Sequence, residues 1–136
     1  MSDIRTFVDG IFDELVAIRR DIHAHPETGM RETRTAALIR SELEKMGVDE
    51  IQQPLPTAVV ALIHGKKGAG KCVALRADID ALPVHEETGL PFASVNEGVM
   101  HACGHDLHTT MLLGAARTLC RMRDQFAGTV KLIFEP

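Results

Sequence analysis

"TAVVALIHGKKGAGKCVALRADIDALP", residues 57–83, is the stretch on which the fold turns. Two short β-rich runs, TAVVALIHG and KCVALRADID, flank the glycine-rich GKKGAG. Valine, isoleucine and leucine in runs of this length predict strands, and the glycines between them predict a hairpin connection. The second run ends in two aspartates, Asp78 and Asp80, followed by the proline loop that begins at Leu82-Pro83. Carboxylates at a strand end stand where α/β proteins gather their functional groups.

Working outward, Ile4, Phe7, Val8, Ile11, Phe12, Leu15, Ile18 and Ile22 recur at steps of three and four, which predicts a helix over 3–24 that Pro26 stops. A second helix is expected over 31–46, carrying Ala36, Ala37, Ile39, Leu43 and Met46, with Gly47 at the left-handed C-terminal cap. On the other side, residues 80–98 are rich in proline and glycine and predict a long loop. A third helix is expected over 106–122, with Leu107, Met111, Leu112, Ala115 and Leu119 on one face, and GTVKLIF (128–134) closes as a strand with an open sheet edge. Near-continuously apolar strands alternating with amphipathic helices imply an α/β fold: a three-layer α/β/α sandwich around one mixed sheet.

The 136 residues suffice for one domain with a real core, and 45% hydrophobic with 25% charged residues is ordinary for a soluble protein. No apolar run approaches the ~20 residues of a membrane span, and the amino terminus lacks the pattern of a secretory signal, which predicts a cytoplasmic location. A net charge of -4, without a basic cluster, argues against nucleic acid as a partner. Three cysteines, Cys72, Cys103 and Cys120, are an odd number without framework spacing, so free thiols or a metal ligand are favoured over bridges.

Chemistry concentrates in GVMHACGHDLHTTMLLGAA, residues 98–116. Cys103 and His105 are one residue apart, and in an extended backbone such positions project to the same side, where a thiolate and an imidazole suit zinc and its first-row neighbours. Gly104 lets the chain turn closely around such a site. Two ligands are too few, because a catalytic zinc takes about three from protein. Asp106 is expected as an N-cap or first-turn acid of the third helix. His101 and His108 add imidazoles nearby, and either Asp78 or Asp80 can orient a ligating histidine. Two other readings are open on these residues: Cys103 as a nucleophile with a neighbouring histidine as base, and an α/β scaffold or interaction module with a structural ion or none.

RRDIHAHPETGMRETRTAALI, LRADIDALPVHEETGLPFAS, GVMHACGHDLHTTMLLGAA and GTVKLIFEP, in this order, resemble the opening part of the M20 metallopeptidase family, in its branch of hippurate hydrolases, N-acyl-amino-acid amidohydrolases and auxin-conjugate hydrolases. The resemblance covers Arg19 to Pro136. It implies the amino-terminal part of a zinc-exopeptidase-like catalytic domain, with Cys103 and His105 as metal ligands and Asp80 as the catalytic aspartate. Asp78, His101, Asp106 and His108 are implied only as supporting groups. The implied reaction is hydrolysis of an N-acyl amino acid by water at a centre of two divalent metals (manganese, zinc, nickel or cobalt). In relatives the general base is the first of two glutamates that follow a sequence like FEP, so the expectation is that residues 1–136 alone have little turnover. A lid or dimerisation domain, and with it a homodimer, belongs to the expected parent enzyme.

Overall fold

A computed structural model describes residues 2–136. In chain order the elements are α1 (Ser2–Ala24), α2 (Thr33–Met46), β1 (Glu50–Gln52), β2 (Val59–His64), β3 (Cys72–Asp78), α3 (His105–Arg121), a short 3-10 turn (Arg123–Gln125) and β4 (Thr129–Glu135). The strands form one mixed sheet in the order β1-β2-β4-β3, with β4 antiparallel to β2 and parallel to β3. This is the α/β class with a mixed sheet that the sequence predicts.

The expected hairpin does not form. β2 and β3 run in opposite directions, but β4 lies between them, so residues 65–71 bridge two strand spacings, roughly 10 Å, instead of one. The glycines serve that insertion. Gly65 and Lys67 donate backbone N–H groups to Gly128 and Phe126, Gly128 donates back to Gly68, and Thr129 donates to Lys71. A Cβ on Gly128 would stand 2.2 Å from the Lys71 carbonyl oxygen, and at φ +82° the position already favours glycine. β4 is therefore interior, and the open edge belongs to β3, where Val73 and Leu75 are exposed.

One face of the sheet holds the core. The register aligns Val59 with Phe134, Ala61 with Leu132 and Ala77 with Phe134. These residues pack with Ile39 and Leu43 of α2 and Leu112, Leu113 and Ala116 of α3. On the opposite face Leu62, Lys131 and Ile133 are half-buried and Arg76 is exposed. α1 lies against α3, and the approach is close at Gly114, where a Cβ would meet the Leu15 side chain at 3.1 Å.

That crossing corrects part of the face assigned to α3, of which Leu112 and Leu119 do meet the core. Leu107 and Met111 are exposed, while Asp106, Thr109, Thr110, Leu112, Leu113, Gly114 and Ala116 are buried. The helix is wedged between α1 and the sheet, so two of its sides are covered, including the polar stripe Asp106–Thr110–Gly114. Met111 and Ala115 instead line a shallow cleft of about 320 Å³ beside Leu75 and His108.

α2 ends as expected on Gly47, at φ 72° with its N–H turned back to the helix carbonyls. Its start is capped from outside. The Glu27 carboxylate accepts the Arg34 N–H at 3.0 Å and the Thr35 N–H at 2.7 Å, placing negative charge at the positive end of the helix. No helix among the described residues is long and apolar enough to cross a membrane.

Candidate metal centre

β3 runs up beside β4 and delivers Asp78 at its last position and Asp80 two residues later, where the Ile79 N–H is held by the Glu135 carbonyl. The long loop that follows returns through a bridge between Leu82 and Met100, which brings residues 101–105 back over the end of β3. Gly104, at φ +81°, is the N-terminal boundary residue of α3. The chain can then turn straight into the helix, with His105 at its first position.

His105 is addressed by both aspartates. Its Nδ1 lies 2.8 Å from the Asp80 carboxylate and 3.0 Å from the Asp80 carbonyl, and its Nε2 lies 3.4 Å from Asp78 Oδ2. Nδ1 thus faces two oxygens of Asp80, Nε2 lies beside the Asp78 carboxylate, and the His108 ring stacks on His105 at 5.5 Å. Ligand atoms of Asp78, His105 and His108 lie within 4.8 Å of one another. Asp78 is also paired with Arg76, at 2.6 Å, and Arg76 in turn binds Glu135, whose carboxyl is held below the usual range by the guanidinium.

A carboxylate and two imidazoles, one of them oriented by a second carboxylate, form a donor set that fits a first-row divalent metal. Asp78 and His108, expected only as supporting groups, thus converge with His105. Cys103 is exposed and is not in this group of three. The extended backbone assumed between Cys103 and His105 is absent, because Gly104 is left-handed and His105 is already helical. His101 is buried, and neither ring nitrogen has a protein partner. Burial holds its pKa down at about 4, so the ring is neutral at pH 7 and both nitrogens are available to a further group.

Asp106 is in the first turn as expected, but the boundary residue is Gly104 and Asp106 makes no cap. It is fully buried and faces α1, where its Oδ2 accepts from Arg19 Nε at 2.9 Å and lies 2.8 Å from His23 Nδ1. The other nitrogen of His23 lies 3.0 Å from Glu86. Burial works against the Glu86 charge, yet hydrogen bonds from Thr88, the Ser94 N–H and His23 outweigh it and lower the pKa. Arg19, His23 and Glu86 went unmarked in the sequence. His23 sits at the end of an ordinary amphipathic helix, and its partners are 63 and 83 positions away.

Fold and site together define an α/β protein with a divalent-metal type of cluster where a strand end meets a helix start. Residues 74–136 match the family model described as Peptidase family M20/M25/M40. The chain is 50% identical over 137 aligned residues to thermostable carboxypeptidase 1 of Saccharolobus solfataricus, covering 100% of this chain and 35% of that protein. It is 44% identical over 134 residues to an N-acyl-L-amino acid amidohydrolase of Geobacillus stearothermophilus, covering 98% of this chain and 36% of that one. A Bacillus subtilis structure described as a dinuclear metal binding peptidase from the M20 family superposes with a TM-score of 0.89 at 46% identity, covering 94% of this chain and 36% of that chain. Over these stretches the chain is similar to members of the M20 peptidase family. It spans about a third of the length of these relatives.

Proposed function

We propose that these residues form the amino-terminal part of the catalytic domain of a cytoplasmic, metal-dependent amidohydrolase acting on N-acyl amino acids of the hippurate or N-acetyl type. The observation that carries the reading is the His105 ring, held at Nδ1 by Asp80 with Nε2 turned toward Asp78 and His108. The names of the relatives support the substrate class, since they include an N-acyl-L-amino acid amidohydrolase and an N-acetylcysteine deacetylase.

In this reading Cys103 and His105 hold metal, Asp80 fixes the tautomer and direction of His105, and Asp78 and His108 complete or support the cluster. His101 and Asp106 support it from within the fold. A divalent metal pair of manganese, zinc, nickel or cobalt supplies Lewis acidity for attack of water on the amide. His105 and Asp80 keep the donor set in one geometry, and the helix start behind them excludes solvent from one side. The general base and remaining ligands come from the rest of a parent enzyme, which the resemblance describes as a homodimer through a lid domain. Residues 1–136 by themselves then have little turnover.

The test is metal content after dialysis, followed by amino-acid release from hippurate and N-acetyl amino acids with each of the four metals. Metal retained by the chain and lost in Cys103→Ala and His105→Ala is the expected outcome. A chain that binds no metal, with both variants indistinguishable from it, would sink the metal reading. Robust metal-dependent turnover by residues 1–136 would contradict the assignment of the base to other residues.

A further inference from the structure

A buried polar network forms a bridge behind the cluster. His23, 3% exposed, stands at the last turn of α1 with Asp106 on one ring nitrogen and Glu86 on the other. The two acceptors belong to different segments: Asp106 is the residue after His105, and Glu86 lies in the long loop that carries residues 101–104 to the site. Glu86 also accepts the Ser94 N–H at 3.0 Å, and Phe92 of the same loop meets the His23 ring edge-on at 5.5 Å. The loop is further tied to this end of α1 by Val95 N–H to Ala24 and by Asn96 to the Pro26 carbonyl.

We infer that His23 is a positioning residue for the metal centre: by joining Asp106 to Glu86 it holds the Cys103–His105 turn and the loop behind it in the geometry that aims His105. The inference rests on the proposed function. The chemistry explains why a histidine is there. A ligating side chain is directed both by its own hydrogen bond, here to Asp80, and by the backbone that carries it. Asp106 anchors the peptide following His105, and an anchor buried away from water is rigid only if its charge is met. Arg19 meets it from the same helix and lies over the Phe92 ring of the loop at 5.1 Å, while His23 joins it by hydrogen bonds to Glu86.

Residues 1–136 are titrated with Co²⁺ and followed by visible absorption, alongside His23→Asn. The variant is expected to keep its far-UV circular dichroism and cooperative unfolding. Its Co²⁺ affinity falls about 10- to 100-fold, the range typical for partners of metal ligands, and its ligand-field bands shift. A folded His23→Asn chain with wild-type affinity and bands overturns the inference. A second measurement needs no metal: in ¹⁵N-labelled protein, the His105 Nδ1 proton bonded to Asp80 is expected as a slowly exchanging resonance, broadened or lost in His23→Asn. The same resonance in both proteins overturns the inference. If His23→Asn does not fold, Glu86→Gln, which keeps shape and an acceptor oxygen, is read in both assays, and wild-type behaviour in both is again refutation. A wild-type chain that takes up no Co²⁺ refutes the metal reading itself, and the imidazole proton then decides the positioning role alone.

Discussion

Replacing Asp106 with alanine separates two accounts of the same carboxylate. As an acid in the first turn of α3 it contributes about 0.3–1 kcal/mol through the helix dipole, and its loss is a minor event. As the buried acceptor between Arg19 and His23 it does more. Its side chain is 1% exposed and its Oδ2 takes one contact at 2.9 Å and one at 2.8 Å. Removing one partner of such a buried ionic group costs about 3–5 kcal/mol, because the opposite groups stay behind unpaired. The Arg19 side chain is 26% exposed and recovers some solvation, which moves the expectation to the lower end, about 3 kcal/mol. With an unfolding entropy of about 2.1 cal/mol/K per residue, a chain of this length loses roughly 10 °C of Tm for that change. Thermal and urea unfolding of metal-free protein at pH 7, followed by circular dichroism, measure it. A Tm within about 3 °C of wild type, corresponding to 1 kcal/mol or less, would refute the buried-bridge account and leave only the dipole.

Leu113→Ala, at a fully buried position, should cost about 2–5 kcal/mol in urea unfolding, whereas Leu107→Ala, 47% exposed, should cost well under 1 kcal/mol; equal costs would return α3 to the face expected from periodicity. Gly128→Ala should destabilise by more than about 2 kcal/mol, since its Cβ meets the Lys71 carbonyl, and Gly68→Ala, at φ +92° in open space, by about 1 kcal/mol; similar values for the two would deny the close approach of β4 to the connection. For pH, His101 is depressed from 6.5 to about 4 by burial, so the unfolded chain binds the extra proton between those values. Metal-free stability is then complete above pH 6.5 and falls toward pH 4, with a limiting slope of about 1.4 kcal/mol per unit. Glu86, also depressed, adds a loss only below the usual carboxylate range. His101→Gln flattening nothing between pH 6.5 and 4 would count against the first of these.

The helices were legible because each is long enough for its period to show. α1 and α2 lie within two residues of their predicted limits, and Gly47 caps as expected. Periodicity placed Leu112 and Leu119 correctly against the core but misplaced Leu107 and Met111, because it registers apolar side chains, and this helix also buries Asp106, Thr109, Thr110 and Gly114 against α1 and the sheet. β1, with only Glu-Ile-Gln, is too short to signal itself. The order of the strands was out of reach for another reason: β4 enters between β2 and β3 from more than 50 residues away in sequence, and local turn composition is blind to such an insertion. In the site, Asp78 and Asp80 both face His105, at opposite ring nitrogens. Nothing local distinguishes His23 from His25, which hydrogen-bonds within its own helix turn to the Asp21 carbonyl.

The layering of these contacts around His105 follows from how the chain is routed. Asp80 reaches Nδ1 from just beyond the strand end and Asp78 faces Nε2 from the last position of β3, so this end of the strand orients the ring from both sides. The helix start is held mainly by Asp106 against α1, with one further hydrogen bond from the Thr109 hydroxyl to the Asp78 carbonyl. A change confined to Asp80, such as Asp80→Asn, alters the ring's hydrogen bond while leaving the α1 anchor intact. A change at Asp106 moves the backbone while leaving Asp80 in place. The two classes of change therefore separate in their effects: Asp80→Asn should weaken metal binding with little loss of stability, because Asp80 is 30% exposed and its loss leaves no buried charge, whereas Asp106→Ala should lower both together. Equal stability losses in the two variants would mean that the strand end and the helix start form a single mechanical unit, and the separate routing argued here would be wrong.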